Sequence, residues 1–383
     1  MRQGQRSFTQ KVFMTIVSAG MFTAVMPVAH AFDCALADKP AYILESRLEL
    51  AMDVVRANNL QAPEAARLYT LTLMAMDAAE NDADIMAAAA LALLKKEYPQ
   101  RGPHLNKFGK YGPCSGQSAR DVKRAEKIGQ RISRRAARPA RKAPGAPQAD
   151  FGAVLPRWAD MRPFALESAS QFRPAGPPAL DSVEFSEALS AVRISGQRGS
   201  LSRTTDQSAS ARFWAYGDYT STGPGHWNTI TLDVTKAIPT KDRVNILLTL
   251  NTAMSDAALA AWDAKYYYRY WRPGAAISQI NPDWEPFLDT PRHPEYVSAH
   301  SAISAAAASV LTAKLGAQPF CAASETLKRT RRCFDNFYTA AQDAGMSRIY
   351  GGIHFPFSNR DGLKLGRDVA AFILQKNPES AEY

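Results

Sequence analysis

The sequence predicts an all-α fold. Several long stretches of its 383 residues carry apolar side chains at helical spacing, and the alternation that is typical of strands is almost absent. Apolar residues make up 46% of the chain and charged residues 21%, which indicates a globular protein with a sizeable core. No stretch repeats with a period of about 20–50 residues, so we expect a bundle rather than a solenoid.

Composition and proline placement define the individual elements. Pro63 stands at the start of the second predicted helix, where a proline is sterically favoured, and the alanine run at residues 87–90 indicates that the third helix is buried. The predicted helices cover residues 41–58, 63–80, 84–98, 182–194, 208–216, 243–272, 298–316, 324–344 and 361–375. Loops are expected at residues 100–120, 158–178 and 223–228, and residues 229–234 are a brief strand at most.

The N-terminus is typical of a signal peptide. Basic residues precede an apolar run at residues 12–28, and Ala29-His30-Ala31 is an Ala-x-Ala cleavage signal. We therefore expect export, to the periplasm or out of the cell, after cleavage near Ala31. No later apolar run reaches the length of about 18 residues that a membrane span needs, so integral membrane association is not predicted.

The positive charge of the chain is local. The formal net charge is +10, but residues 121–142 alone contain nine Lys and Arg against two Asp and Glu. Outside this segment and the leader the chain is near neutral, so charge gives no reason to expect a nucleic-acid partner. We predict the following parts: a signal peptide (1–31), a helical part (32–120), a basic linker or loop (121–150) and a second helical part with the functional site (151–383), residues 32–383 forming one integrated domain. The basic residues 121–142 are either a solvated loop or a solvated helix.

The four cysteines fit an exported protein. We favour the pairs Cys34–Cys114 and Cys321–Cys333, because the second pair closes a short local loop. Free, buried thiols are the alternative.

The most informative stretch is residues 262–273, which we expect to end a long helix that Pro273 stops. Lys265 and Arg272 are seven residues apart, so they lie within about 20° of each other on one helical face, which Arg269 shares. Such cations repel one another unless a negative group lies against them, and their Tyr and Trp neighbours belong in a packed interior. The stretch indicates either an anion site or a solvated basic face.

Two later stretches supply further groups for an anion. Residues 297–300, Val-Ser-Ala-His, open an alanine-rich helix, whose first-turn N–H groups and Ser298 hydroxyl are hydrogen-bond donors. Ser347-Arg348 adds a third cation, and His354 follows it. Each piece alone has an ordinary structural explanation, since a lone histidine is more often a core residue than a catalyst.

Together these patterns resemble the three motifs shared by the vanadium-dependent haloperoxidases and the type 2 phosphatidic acid phosphatases. Lys-x6-Arg-Pro, Pro-Ser-Gly-His (in part) and Ser-Arg-x5-His are matched by Lys265 with Arg272-Pro273, by Ser298-Ala299-His300, and by Ser347-Arg348 with His354. The order and the spacing agree. The wider likeness, to the bacterial haloperoxidases, extends from about Tyr42 to the end of the chain, and it implies two four-helix bundles in one domain with the anion site in the second.

The resemblance implies a haloperoxidase that uses hydrogen peroxide to oxidise a halide at a vanadate ion, whose place phosphate can also take. His354 would ligate the vanadate, Lys265 would polarise the oxygen that the halide attacks, and His300 would be the acid–base on the opposite side. The implied oxyanion-binding set is Lys265, Arg272, Ser298, Ala299 and Arg348. His293 at the edge of the pocket, with Trp262 as the other wall, favours bromide and iodide over chloride.

Two other functions stay open. An exported acid phosphatase would use His354 as the nucleophile on a phosphate ester, through a phosphohistidine, and His300 to protonate the leaving alcohol. A non-catalytic oxyanion-binding protein would have lost its chemistry through the changes described next. A zinc site built from the three histidines lacks suitable acidic or cysteine partners.

Three residues depart from the family pattern. Ala299 replaces a glycine and cannot adopt a positive φ cheaply. Ser358 replaces an aspartate that commonly follows the histidine by four residues and orients its ring; we expect Asp361, on the same helical face as His354, to substitute for it. Arg269 adds a cation, which serves either a surface salt bridge or the site.

Overall fold

A computed structural model of the protein describes residue 36 and residues 39–99, 119–136 and 154–376. All of these belong to one compact unit, Asp33–Tyr383. The predicted leader and the predicted pair Cys34–Cys114 lie outside the described residues.

The described residues are mainly helical, and the predicted all-α class is confirmed. The helices are α1 (Pro40–Asn58), α2 (Ala62–Asp77), α3 (Ala83–Glu97), α4 (Ala119–Ala136), α5 (Val183–Ser195), α6 (Thr205–Phe213), α7 (Thr222–Val234), α8 (Thr240–Tyr268), α9 (Pro273–Ile277), α10 (Ala299–Leu315), α11 (Phe337–Tyr350) and α12 (Pro356–Lys376). A 3₁₀ turn at Trp158–Asp160 and an antiparallel hairpin of β1 (Phe320–Ala323) and β2 (Arg331–Phe334) complete the described elements.

Two sets of four helices pack as bundles. α1, α2, α3 and α4 form the first, and α8, α10, α11 and α12 form the second. α8 also packs against α2 and so contributes to both. The segment Thr240–Ile277 is long and apolar enough to span a membrane, but 94% of its apolar window is buried inside the protein, as in the core helix of a globular domain.

The second bundle is held close by small residues on α10 and α12. α10 is rich in buried alanine, and Gly362 and Gly366 of α12 face its first turns. A Cβ atom added at Gly362 would overlap the Ser298 carbonyl, and one added at Gly366 would overlap the Ala302 carbonyl. The two helices therefore approach to backbone contact, and Ser298 N donates to the Ser358 carbonyl (3.2 Å) where they begin. This contact brings the start of α10 next to the start of α12.

Buried carboxylates of α8 fix the irregular segment at residues 154–178. Asp256 accepts hydrogen bonds from three consecutive backbone N–H groups, those of Phe164, Ala165 and Leu166. Asp263 forms a two-point pair with the Arg173 guanidinium, at 2.6 and 2.8 Å. The proline-rich loop that the sequence predicts is thus a fixed layer over α8.

Several element predictions need correction. Residues 223–228, predicted as a loop, and 229–234, predicted as a possible strand, both lie in α7, because Gly-Pro falls in its first turn, where a proline is tolerated. The helix predicted at residues 324–344 begins only at Phe337, because the hairpin precedes it. The pair Cys321–Cys333 joins directly opposed residues of that hairpin, so this predicted disulfide is confirmed.

The basic segment, expected as a linker, a solvated loop or a solvated helix, is helical in its described part. Its described part is α4, which buries Ala125, Ile128 and Ile132 on one face while its Lys and Arg side chains point outward. A Cβ atom added at Gly129 would lie 2.9 Å from Leu93 N, so α4 packs directly on α3. The many charges of this segment mask its amphipathic spacing, which explains why composition left both a loop and a helix open.

We predict that α4 stabilises the first bundle. Replacing Ile128 with Gln buries an amide without a designed partner and should lower the free energy of unfolding by more than about 2 kcal/mol. The matched change Lys127→Gln, at the exposed neighbouring position, should stay within about 0.5 kcal/mol of the parent protein. Chemical denaturation measures both, and equal stabilities of the two variants would mean that α4 is dispensable.

Candidate functional site

The stretch that carries Lys265 and Arg272 is not one continuous helix. α8 ends at Tyr268, Arg269 is left-handed (φ 49°), and Arg272 is extended (φ −78°, ψ 154°). Pro273 explains the extended backbone, because a proline disfavours helical geometry in the residue before it. The predicted three-cation face is therefore wrong: Arg269 is exposed, whereas Lys265 and Arg272 are buried.

Lys265 anchors the segment that precedes α10. Its ammonium group donates to the backbone carbonyls of Pro294 (2.9 Å), Glu295 (2.9 Å) and Val297 (2.6 Å). Three carbonyl acceptors use all three protons of the ammonium group. Burial first, and then the charge of Arg272, hold the pKa of Lys265 well below its ordinary value. In this arrangement Lys265 acts on an anion through its charge rather than through a spare N–H.

Arg272 joins two histidines and two backbone segments. Its Nε donates to the His293 carbonyl (3.0 Å) and one terminal nitrogen donates to the Ile353 carbonyl (2.7 Å). The terminal nitrogens also lie 3.1 Å from His354 Nε2 and 3.0 Å from His293 Nδ1. A guanidinium group can only donate, so His354 Nε2 accepts from Arg272 and carries no proton.

His354 is held from its other side by a carboxylate. Its Nδ1 lies 2.7 Å from Glu295 Oε1, and the same oxygen accepts from Phe355 N (2.9 Å). Burial lowers the pKa of His354 well below its ordinary value, so the ring is neutral at neutral pH. Because Nε2 accepts from Arg272, the single ring proton resides on Nδ1 and is donated to Glu295.

Sequence reasoning missed Glu295 and assigned its task to Asp361. That expectation needs correction: Asp361 accepts from the Tyr296 hydroxyl (2.8 Å) and pairs with Arg360 (2.7 Å). The physical reason is that Tyr296 and Arg360 already engage Asp361, whereas the Glu295 carboxylate reaches within 2.7 Å of His354 Nδ1. The sequence offered one signal, since Glu295 is the single acid among residues 294–297, just before α10. In the structure it is buried there.

The start of α10 contributes Ser298, Ala299 and His300. Ser298 is the N-cap, and its Oγ accepts from Ser301 N (3.3 Å). Ala299 is the first residue of the helix and is not among the described residues with a positive φ, so alanine is unstrained there. His300 Nε2 donates to the Trp214 carbonyl (3.1 Å), and its ring stacks on Tyr216 at a centroid distance of 5.3 Å.

Arg348 approaches from α11. Its Nε donates to Ser347 Oγ (2.9 Å) and one terminal nitrogen donates to the Ala211 carbonyl (2.9 Å). Gly352, with a φ of 76°, turns the chain sharply between Arg348 and His354. The charge of Arg348, after burial, is the largest influence that lowers the pKa of His300, so these two side chains are close enough to act on each other.

The predicted pocket walls, Trp262 and His293, lie against each other with ring centroids 4.9 Å apart. Lys265 Nζ is 5.9 Å from the Trp262 ring centroid. The indole Nε1 of Trp262 is buried and makes no hydrogen bond with any described residue. The structure thus brings the two wall residues together beside Lys265 and Arg272.

The site buries more positive than negative charge. The cations Lys265, Arg272 and Arg348 are at most 8% exposed, and the carboxylate in hydrogen-bond contact with His354 is Glu295, at 0%. Burial lowers the pKa of Arg272 and of Arg348 to about 10, and it raises the pKa of Glu295 to about 7. Uncompensated buried charge is costly, and an oxyanion bound among the cations relieves that cost.

These residues fit a tetrahedral oxyanion that a histidine ligates. Two arginines carry planar donor forks, and the first turn of α10 offers N–H groups. The lone pair of His354 Nε2, which Glu295 keeps free of a proton, meets Arg272 here and would bind the anion by exchanging that contact. No group of three His, Cys, Asp or Glu in the described residues is arranged to hold a metal cation. The donor set is that of an anion site.

Comparison with known proteins agrees with this geometry. A family model described as the VCPO second helical-bundle domain matches residues 245–282 and 278–382, the part that contains all the site residues named above from the second bundle. The structure of a bacterial vanadium-dependent iodoperoxidase, described as the first of its kind, superimposes with a TM-score of 0.71 and 25% sequence identity, over 87% of this chain and 95% of that one. The matched part of the chain, residues 245–382, belongs to the vanadium haloperoxidase and type 2 phosphatidic acid phosphatase superfamily.

More distant members share the fold. The holo form of a bacterial vanadium-dependent chloroperoxidase superimposes with a TM-score of 0.65 and 13% identity, over 85% of this chain and 94% of that chain. The apo form of a bacterial vanadium-dependent chloroperoxidase superimposes with a TM-score of 0.62 and 12% identity, over 83% of this chain and 94% of that chain. At these identities the likeness concerns the fold alone. The chain has no significant sequence match among curated proteins.

We predict that Arg348 binds the oxyanion. Replacing it with Ala leaves fewer cations against a multiply charged anion and should weaken phosphate or orthovanadate binding by about 2–5 kcal/mol, measured by calorimetry. Arg269→Ala is the matched control, because Arg269 is an exposed arginine of the same segment as Arg272. Unchanged binding by a folded Arg348→Ala variant would exclude Arg348 from the site.

Proposed function

We propose that the protein is a vanadium-dependent haloperoxidase that uses hydrogen peroxide to oxidise bromide and iodide at a vanadate held by His354. The observation that carries the proposal is the His354 ring: a buried neutral imidazole with Nδ1 bonded to Glu295 (2.7 Å) and Nε2 facing the Arg272 guanidinium. An imidazole lone pair among buried cations is suited to ligating an oxyanion.

The chain's own groups have separate tasks. His354 would hold the vanadate through Nε2, Arg272 and Arg348 would donate to its oxygens, and the first turn of α10 would add backbone N–H groups. Vanadate, when bound, supplies the Lewis acid that activates hydrogen peroxide. Lys265 would keep the segment at residues 294–297 in position while its charge strengthens the field at the anion.

His300 is the candidate acid–base. Its Nε2–H donates a hydrogen bond to the Trp214 carbonyl, so Nδ1 is the ring nitrogen that can accept a proton. Burial, followed by the charge of Arg348, lowers the pKa of His300, so its neutral form is present at neutral pH and can act as the base. Stacking on Tyr216 holds the ring plane.

A second candidate is an exported acid phosphatase, and the same histidine favours it. A neutral His354 whose Nδ1–H is held by a carboxylate is a competent nucleophile toward phosphorus, and the buried cations suit a phosphoryl group equally well. Export itself is proposed from the N-terminal sequence, and the disulfide Cys321–Cys333 supports an oxidising compartment.

One paired assay distinguishes these functions. Purified protein, loaded with orthovanadate or kept free of it, is tested for peroxide-dependent bromination and iodination and for hydrolysis of a phosphate ester. We expect halogenation that requires vanadate and is abolished by His354→Ala, with control activity retained by Arg269→Ala. Ester hydrolysis without halogenation would establish the phosphatase, and phosphate binding without either reaction would establish a non-catalytic binding protein.

Halide choice is the finer prediction. His293 Nδ1 lies 3.0 Å from an Arg272 terminal nitrogen and the ring packs on Trp262, so a polar ring stands at the edge of the proposed pocket. A polar ring admits water near the reacting oxygen, whereas an apolar wall raises its effective electrophilic strength. We expect bromide and iodide oxidation with little chloride oxidation, and His293→Phe should raise the ratio of chloride to bromide turnover. Robust chlorination by the parent protein would refute this assignment.

A further inference from the structure

Two side chains lie close enough to His354 Nδ1 to hold the ring, and the two contacts differ greatly in strength. Glu295 Oε1 is 2.7 Å away, whereas Ser358 Oγ is 3.4 Å away. A short bond to a carboxylate is charge-assisted and strong; a contact at the limit of hydrogen bonding to a hydroxyl is weak. The carboxylate therefore determines which way the imidazole faces.

Glu295 is itself held more firmly than a residue in a connecting segment usually is. Its carbonyl accepts from Lys265 Nζ, and the carbonyls of its neighbours Pro294 and Val297 accept from the same ammonium group. Its own N–H donates to the Tyr270 carbonyl (2.9 Å). Phe355 N donates to the carboxylate oxygen that His354 contacts. Backbone and side chain are thus fixed from both sides.

The buried carboxylate carries a cost that packing alone does not explain. Glu295 is 0% exposed, and its second oxygen, Oε2, makes no hydrogen bond with any described residue. A glutamine or an apolar side chain of the same length would fill this space with a smaller desolvation penalty. The charge is consistent with a task at His354 rather than with core stability.

We propose that Glu295 is the positioning residue of His354: it keeps Nε2 free of a proton and aimed at the bound oxyanion. Lys265 contributes through Glu295, since it anchors the segment that presents the carboxylate. The inference rests on the proposed function only in taking His354 as the ligand of an oxyanion, and it holds for vanadate and for phosphate alike.

Ser358 provides an unusual way to test this. Its side chain approaches the same ring nitrogen from the first turn of α12, so Ser358→Asp would place a carboxylate within reach of Nδ1 from a different element. The variants are Glu295→Gln, Ser358→Asp and the double variant. Glu295→Gln keeps the size of the side chain and removes its charge.

The readout is the dissociation constant for orthovanadate and, separately, for inorganic phosphate, measured by calorimetry on full-length protein. We expect Glu295→Gln to weaken binding about 10- to 100-fold, and the double variant to recover at least about tenfold of that loss. A residue that served only packing would show no recovery when a carboxylate is supplied from Ser358. Unchanged affinity in Glu295→Gln, or no recovery in a folded double variant, would overturn the proposal.

A second measurement does not depend on any variant folding. Nitrogen-15 NMR of histidine in the parent protein should show His354 protonated on Nδ1 and unprotonated on Nε2; the opposite tautomer would overturn the proposal. The binding data also separate this proposal from the assigned activity. If the rescue pattern appears with phosphate and no halogenation is found, Glu295 keeps its role and the haloperoxidase assignment fails.

Discussion

Positive charge buried without matching negative charge is the constraint on which the site depends. Lys265, Arg272 and Arg348 come from three different parts of the chain, and each is nearly inaccessible to water. Backbone carbonyls accept many of the hydrogen bonds that these side chains donate, but carbonyls do not neutralise their positive charge. The surplus of positive charge favours binding of an oxyanion, and in the proposed site His354 would supply the one side-chain ligand to its central atom.

The fold determines where those charges meet. α8 delivers Lys265 in its last turn, and Pro273 forces the extended backbone from which Arg272 reaches the two histidines. Close contact between the glycines of α12 and the alanines of α10 lets the beginnings of these helices meet. That contact places Ser298 beside the first turn of α12, which begins two residues after His354.

Much of the site was predictable because its residues lie in patterns of fixed order and spacing. Lys265, Arg272, Arg348 and His354 follow such patterns, and the structure does gather them. Glu295 belongs to none of the three patterns. Its role depends on a contact with His354, 59 residues further along the chain, which a sequence pattern does not reveal. Asp361 has the helical spacing from His354 that an orienting carboxylate would need, but its hydrogen bonds go to Tyr296 and Arg360 instead.

The elements of the fold likewise divide into those that the sequence predicts and those that it does not. Long apolar helices were predictable from periodicity, and composition left α4 open between a loop and a helix. The Gly-Pro start of α7 and the short strands of the β1–β2 hairpin concealed the other two elements. For these two, local composition favoured a loop or the wrong element, and burial of a few side chains against neighbouring helices decided the outcome.

The most direct measurement is a crystal structure of the protein grown with orthovanadate. We expect one vanadium atom bonded to His354 Nε2, with its oxygens in contact with Arg272 and Arg348. Glu295 should still be hydrogen-bonded to His354 Nδ1. Vanadate found only on exposed cations, such as those of α4, with His354 and the buried arginines keeping their present partners, would contradict this expectation.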